Sequence, residues 1–74
     1  MSQGVRQMIA NKVKQQRLLL NLTSEELSLK LGLDNSYVSK LENCRINITI
    51  DNLEKIATFF KVPIKDFFTN DKMD

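Results

Sequence analysis

A group of short polar side chains between residues 35 and 40 carries the clearest chemistry of this sequence. The group comprises Asn35, Ser36, Ser39 and Lys40, with Tyr37 at its edge. Asparagine can pair with the donor and acceptor edge of adenine, lysine can donate to guanine, and a serine hydroxyl can do either. On one face of a helix, these side chains would suit the major groove of DNA. The alternative interpretation is a solvated helix face that has no ligand.

Catalysis and metal binding are not expected from this set of residues. The chain has no histidine, one cysteine and two glycines, so it offers no nucleophile–base pair, no glycine-rich loop and no set of zinc ligands. We therefore expect a protein that is not an enzyme and that holds no metal or cofactor. Cys44 has no partner for an internal disulfide, which predicts that the protein is located in a reducing cytoplasm. A redox role for its thiol is the alternative to a structural role.

The composition predicts one all-α domain over residues 1–74, with a core from about residue 5 to residue 68 and a frayed tail over residues 70–74. Apolar residues at 42% and charged residues at 27% are typical of a soluble globular protein. Two glycines and one proline leave few turn signals, which favours helices. We expect neither a membrane-spanning segment nor a signal peptide.

The charges are distributed unevenly along the chain. Residues 1–45 hold seven basic and four acidic side chains, whereas residues 46–74 hold four basic and five acidic ones. The first part can therefore face a polyanion and the second a protein partner. A chance asymmetry of a solvated surface explains the same numbers.

Apolar spacing and capping residues predict five helices. The first runs from about Gln3 to Leu19, and its buried stripe consists of Val5, Met8, Ile9, Val13 and Gln16. Thr23 and Glu26 predict a capping box at the start of the second helix, which ends at Gly32. Asp34 is the expected N-cap of the third helix. The fourth covers Ile50 to Phe60 after Thr49, and Pro63 begins a short fifth helix with Ile64, Phe67 and Phe68.

The second and third helices form a predicted helix-turn-helix. Leu27 and Leu31 of the second helix should pack against Val38 and Leu41 of the third, while the small Ser28 permits a close crossing. This packing leaves the polar group on the outer face of the third helix. Ser24 and the amides near it are expected to meet a phosphate, and Arg45 and Asn47 to reach the DNA backbone or a flanking base.

At this point the sequence resembles the lambda-repressor-like (Cro-type) helix-turn-helix proteins, most closely the controller proteins of restriction–modification systems. The resemblance covers about residues 9–68. It is carried by Ile9, Val13 and Arg17, by the runs 22–28 and 37–43 with Gly32, by 47–50, and by Leu53, 55–57, Val62 and 66–68. It implies a compact five-helix fold, a homodimer on a near-palindromic double-stranded DNA operator, and control of transcription. RNA polymerase is a further expected partner.

The resemblance also implies roles for individual residues. The recognition contacts to bases would be Asn35, Ser36, Tyr37, Ser39 and Lys40, and contacts to the backbone or flanking bases would come from Ser24, Asn43, Arg45 and Asn47. Ser24 stands where a glutamine is common, which shortens the phosphate contact. Arg17 and Glu42 match a salt bridge between the first and third helices; two separate surface charges are the alternative.

Four phenylalanines near the end of the sequence can serve the core or an interface. Phe59, Phe60, Phe67 and Phe68 exceed what the end of so short a monomer readily buries. We expect a dimer interface that involves Ile50, Ile64, Phe67 and Phe68, with core packing as the alternative.

The sequence is compatible with two other functions. An antitoxin of a toxin–antitoxin pair would have the same fold and a small co-purifying partner. A protein-interaction module that sequesters another regulator would use the apolar C-terminal face and bind no DNA.

Overall fold

Four α-helices and one 3₁₀ helix make up the fold in a computed structural model that describes residues 3–68, with only the backbone described at Gln3. Helix α1 spans Gln3–Leu19, α2 Ser24–Lys30, α3 Tyr37–Glu42 and α4 Ile50–Phe60, and the 3₁₀ helix spans Ile64–Phe68. The predicted all-α class is confirmed, and the described part of the chain contains no strand. The tail predicted over residues 70–74 lies outside the described residues.

The fifth predicted helix is a 3₁₀ helix rather than an α-helix. Its five residues follow Pro63, whose carbonyl accepts a hydrogen bond from the Asp66 amide at 3.0 Å. That bond spans three residues, the 3₁₀ spacing, which proteins use in pieces of this length. The segment still brings one large side chain, Phe67, into the centre of the molecule, where it is fully buried.

The core takes residues from every helix. Its members are Ile9, Val13, Leu27, Leu31, Val38, Leu41, Leu53, Ile56, Ala57 and Phe67. Ile9 and Val13 confirm the middle of the predicted stripe on α1, but the expectation for Val5 was wrong, because 54% of this side chain is exposed. Val5 lines a surface groove instead of being covered by a neighbouring helix.

Helix α2 begins as the sequence predicts. The Thr23 hydroxyl accepts from the Glu26 amide at 3.0 Å, and the Glu26 carboxylate accepts from the Thr23 amide at 2.8 Å. This reciprocal pair is the predicted capping box. After α2 the chain turns at Gly32, whose φ of +75° is a conformation that glycine adopts without strain.

Helix α3 begins later than predicted. We expected Asp34 to be its N-cap, but the helix starts at Tyr37 and the N-cap position is Ser36. The Asp34 carboxylate accepts hydrogen bonds from the amide and the hydroxyl of Ser36, and the Asp34 carbonyl accepts from the Tyr37 amide at 2.9 Å. These bonds close a turn ahead of the helix, because aspartate readily binds the backbone two residues on.

Helix α4 has a cap at each end. The Thr49 hydroxyl accepts from the Asn52 amide at 3.1 Å, as the sequence predicts. Lys61 adopts a left-handed conformation at the C-terminal end, with φ of +60°. Across the described residues no helix combines the length and the apolar character that crossing a membrane requires.

Candidate nucleic-acid interface

Helices α2 and α3 pack through the apolar residues that the sequence pairs. Leu27 and Val38 have no exposed surface, while Leu31 and Leu41 are 6% and 4% exposed. Because Val38 and Leu41 belong to the buried core that α1 and α2 also line, the opposite face of α3 is turned outward. The second helix of the pair is thus presented as a ridge, which is the shape that enters a major groove.

The predicted base-reading residues lie on this ridge with graded exposure. Asn35, in the turn before α3, and Lys40, within it, are exposed, whereas Ser36, Tyr37 and Ser39 are half-buried. Short side chains near the N-terminal end of a helix allow the helix backbone to approach a binding partner closely. Asn35 and Ser36 precede α3, whereas Tyr37, Ser39 and Lys40 lie within it.

Tyr37 is anchored as well as partly exposed. Its ring packs against the core, and its hydroxyl oxygen accepts a hydrogen bond from Asn52 Nδ2 of α4 at 3.2 Å. The phenolic proton remains available to donate, since a tyrosine hydroxyl can accept and donate at once. Nothing in the sequence pattern pointed to Asn52, because the bond joins two helices fifteen residues apart.

An ion pair fixes the C-terminal end of α3 to α1. Arg17 Nε and Nη2 donate to the two carboxylate oxygens of Glu42 at 2.8 and 2.9 Å, and Arg17 Nη1 donates to the Leu22 carbonyl at 2.8 Å. The two side chains are only 12% and 9% exposed. The hydrogen bonds to Glu42 raise the pKa of Arg17. Glu42 lies in the last turn of α3, where the helix dipole disfavours a carboxylate, so the arginine supplies the compensating charge.

The carboxylate of Asp34 lies beside the residues predicted to read bases. Hydrogen bonds from the Ser36 hydroxyl and then the Ser36 amide hold the pKa of Asp34 below its usual value, with a smaller effect from the charge of Lys40. The carboxylate is therefore ionised at neutral pH. Its negative charge lies near that of Lys40 and reduces the positive potential around that side chain.

The residues predicted to flank the ridge precede and follow α3 along the chain. Ser24 is the first residue of α2 and is half-buried, while Asn43, Arg45 and Asn47 follow α3 and are exposed. The Asn43 side chain donates from Nδ2 to the Ser39 carbonyl at 2.8 Å, which turns its amide toward α3. The Arg45 amide donates to the Lys40 carbonyl at 2.9 Å, so the loop begins close to the end of the helix.

The predicted interface residues are divided between the surface and the core. Ile50 is 71% exposed and Phe68 43% exposed, and both line a groove of about 350 Å³ together with Val5. The expectation for Phe67 was wrong: this side chain has no exposed surface and belongs to the core. Adjacent residues of a short helix point in different directions, so Phe67 and Phe68 cannot share one environment. Ile64 is half-buried against the core.

No group of three or more metal-ligating side chains occurs among the residues that the structure describes.

Residues 13–67 match the family described as Helix-turn-helix, a span that contains every residue of the ridge and its flanks. The chain belongs to this family. This match confirms the predicted resemblance of the chain to lambda-repressor-like helix-turn-helix proteins. The predicted fold class is confirmed with it.

Relatives of the helix-turn-helix protein are named as regulators. It is 40% identical over 58 residues to an uncharacterized HTH-type transcriptional regulator of Methanocaldococcus jannaschii, a match that covers 78% of this chain and 88% of the relative. It is 34% identical over 67 residues to the control protein C.BamHI of Bacillus amyloliquefaciens, covering 89% and 83% of the two chains. The crystal structure of the hypothetical transcription factor NHTF from Neisseria superposes with a TM-score of 0.82 at 32% identity, covering 88% of this chain and 75% of that one.

Proposed function

We propose that the protein is a sequence-specific transcriptional regulator that inserts α3 into the major groove of an operator. The observation that carries this proposal is the exposure of Asn35 and Lys40 at a short helix whose inner face is buried against α2. Its relationship to the control protein C.BamHI supports the more specific role of a controller protein in a restriction–modification system.

The exposed residues divide into those that read bases and those that set the position of the protein on DNA. Base contacts are assigned to five residues: Asn35, Ser36, Tyr37, Ser39 and Lys40. Ser24, Asn43, Arg45 and Asn47 are assigned to phosphates or flanking bases. Contacts to phosphates fix the register of a protein on the duplex, whereas contacts to base edges determine the choice of site.

A homodimer places two copies of α3 on one face of DNA, with centres about 34 Å apart. The groove that Val5, Ile50 and Phe68 line supports this arrangement, because it exposes large apolar side chains on a chain with a small core. Apolar side chains of this kind are stabilised when a second copy covers them. The resulting two-fold symmetry matches a near-palindromic operator.

Selection of bound duplexes from a random DNA pool tests the function. We expect a two-fold-symmetric motif with half-sites about one helical turn apart, and an affinity that falls as salt rises because phosphate contacts release counterions. Enrichment of no motif, together with weak binding that disappears at moderate salt, would contradict the proposal. That result would move the function to a protein partner.

Removal of one base-reading side chain should change the choice of site. We expect Lys40→Ala or Asn35→Ala to weaken binding to the selected operator by about 1–3 kcal/mol and to relax discrimination at one base pair. Titrations against all four base pairs at each position measure the effect. Lys55→Ala, an exposed lysine on α4, is the control. An equal loss of affinity on every sequence would show a phosphate contact and contradict base reading.

Polar substitution of the groove should weaken the dimer. We expect Ile50→Ser or Phe68→Ser to raise the dimer dissociation constant about tenfold, since each removes a large apolar side chain from the interface. Sedimentation at several concentrations measures this constant. Leu19→Ser is a matched control, because Leu19 is 70% exposed, as Ile50 is 71%, and does not line the groove. Equal behaviour of the control and the groove variants would place the interface elsewhere.

A further inference from the structure

Helix α3 lacks a cap from its own N-terminal residue. It has six residues, and Ser36 at the N-cap position makes no side-chain hydrogen bond to the helix. The Ser36 hydroxyl instead donates to the Asp34 carboxylate. The first amides of any helix have no partner within that helix, so they need an acceptor from outside.

That acceptor comes from the neighbouring helix. Ser28 Oγ of α2 accepts a hydrogen bond from the Val38 amide at 3.0 Å, and both residues are completely buried. Val38 is the second residue of α3, and the amide at this position is one that an N-cap side chain ordinarily binds. The serine of α2 thus occupies the place of the missing local cap.

The same hydroxyl also bonds within its own helix. Ser28 Oγ donates to the Ser24 carbonyl at 2.9 Å. The Val38 amide, the Ser28 hydroxyl and the Ser24 carbonyl therefore form one continuous chain of hydrogen bonds from α3 to the first turn of α2. In such a chain each bond polarises the next, so that both strengthen.

We propose that Ser28 is a positioning residue that fixes the base-reading end of α3 relative to the first residue of α2. The inference rests on the proposed function, in which Ser24 meets a phosphate while α3 reads bases. A phosphate contact sets the register of the protein on DNA, and base contacts set the choice of site. A rigid link between Ser24 and α3 therefore means that a protein docked in the correct register also presents α3 to the correct bases. Ser28 touches no DNA in this arrangement and acts through Val38.

Packing alone does not account for a serine at this position. Alanine would keep the small volume that a close helix crossing needs, but it would leave the Val38 amide buried without an acceptor. A buried donor without a partner is more costly than the ordinary loss of a hydrogen bond. We expect the start of α3 to move in response, and this movement would displace Ser36, Tyr37 and Ser39.

The test compares wild type with Ser28→Ala on two duplexes of equal length, the one that the wild type selects and a random one. We expect the ratio of the two affinities to fall about tenfold while affinity for the random duplex is unchanged. In the free protein, we expect the Val38 amide proton to shift upfield in the NMR spectrum. Ile56→Val is the control, because it removes one methyl from the buried core and should lower stability alone.

Two results would overturn the proposal. These are an unmoved Val38 amide proton in Ser28→Ala, and an unchanged ratio of the two affinities, which includes the same fold-loss of affinity on both duplexes. A measurement on the wild type does not depend on the variant folding: the Val38 amide shift should vary little with temperature, and a steep variation would also overturn it. Failure of the wild type to select any duplex would refute the proposed function. The NMR measurements would then still test whether Ser28 accepts the hydrogen bond of the Val38 amide.

Discussion

Phe67→Ala will lower the free energy of unfolding by about 3–5 kcal/mol, the usual cost of removing a buried phenylalanine from a core. The side chain is completely buried and belongs to the cluster that α1, α2, α3 and α4 share. A domain of this size has a total stability of roughly 4–11 kcal/mol, so one substitution removes a large part of it. Urea unfolding followed by circular dichroism, at one fixed protein concentration, measures the loss.

Phe68→Ala is the matched control for that experiment. Phe68 is the next residue and is 43% exposed, so we expect its loss to cost about 1 kcal/mol or less. The pair of variants separates the fold from the interface, because Phe68 lines the groove and Phe67 does not. A Phe67→Ala chain of near wild-type stability would contradict the structure and return Phe67 to the predicted interface.

Arg17→Met will destabilise the protein by about 2–3 kcal/mol. This value lies between the cost of breaking a surface pair and that of breaking a fully buried one, since the two side chains of the pair are about one tenth exposed. Without Arg17, the Glu42 carboxylate remains mostly buried at the unfavourable end of the α3 dipole, and the Leu22 carbonyl also loses its donor. Urea unfolding again measures the change.

Two further variants show whether the pair itself is responsible. Lys14→Met removes an exposed charge from the same helix and should change stability by no more than about 0.5 kcal/mol. The double variant Arg17→Met with Glu42→Met should cost less than the sum of its single changes, because no charge is left without a partner. Additive costs would show that Arg17 and Glu42 act separately, as the surface-charge alternative requires.

Local chemistry determines much of the fold without any tertiary contact. The capping box of Thr23 and Glu26, the left-handed Gly32 and the Thr49 cap all depend on residues within a few positions of each other. Apolar spacing likewise placed α1 and α4 at their observed bounds. Such signals can be read from a sequence because their physical causes lie within one or two turns of the chain.

The candidate interface was predicted as a set of residue types, and the structure added what supports them. Asp34 was expected to cap α3, but its carboxylate bonds Ser36 in a preceding turn. Residue type and spacing do not separate these two cases, because aspartate serves both a helix start and a tight turn. Asn35 and Lys40 are exposed as the sequence predicts, while the role of the group in reading bases stays a prediction.

Only the tertiary structure decided which of two adjacent phenylalanines is buried and which groups hold α3. Phe67 and Phe68 have the same side chain, so their exposure depends on the direction in which the 3₁₀ helix meets the core. Ser28 and Asn52 act on α3 from ten and fifteen residues away. A six-residue helix has too few internal hydrogen bonds to be stable alone. The sequence therefore determined the bounds of α1 and α4 and the start of α2, while contacts from other helices decided how α3 is held.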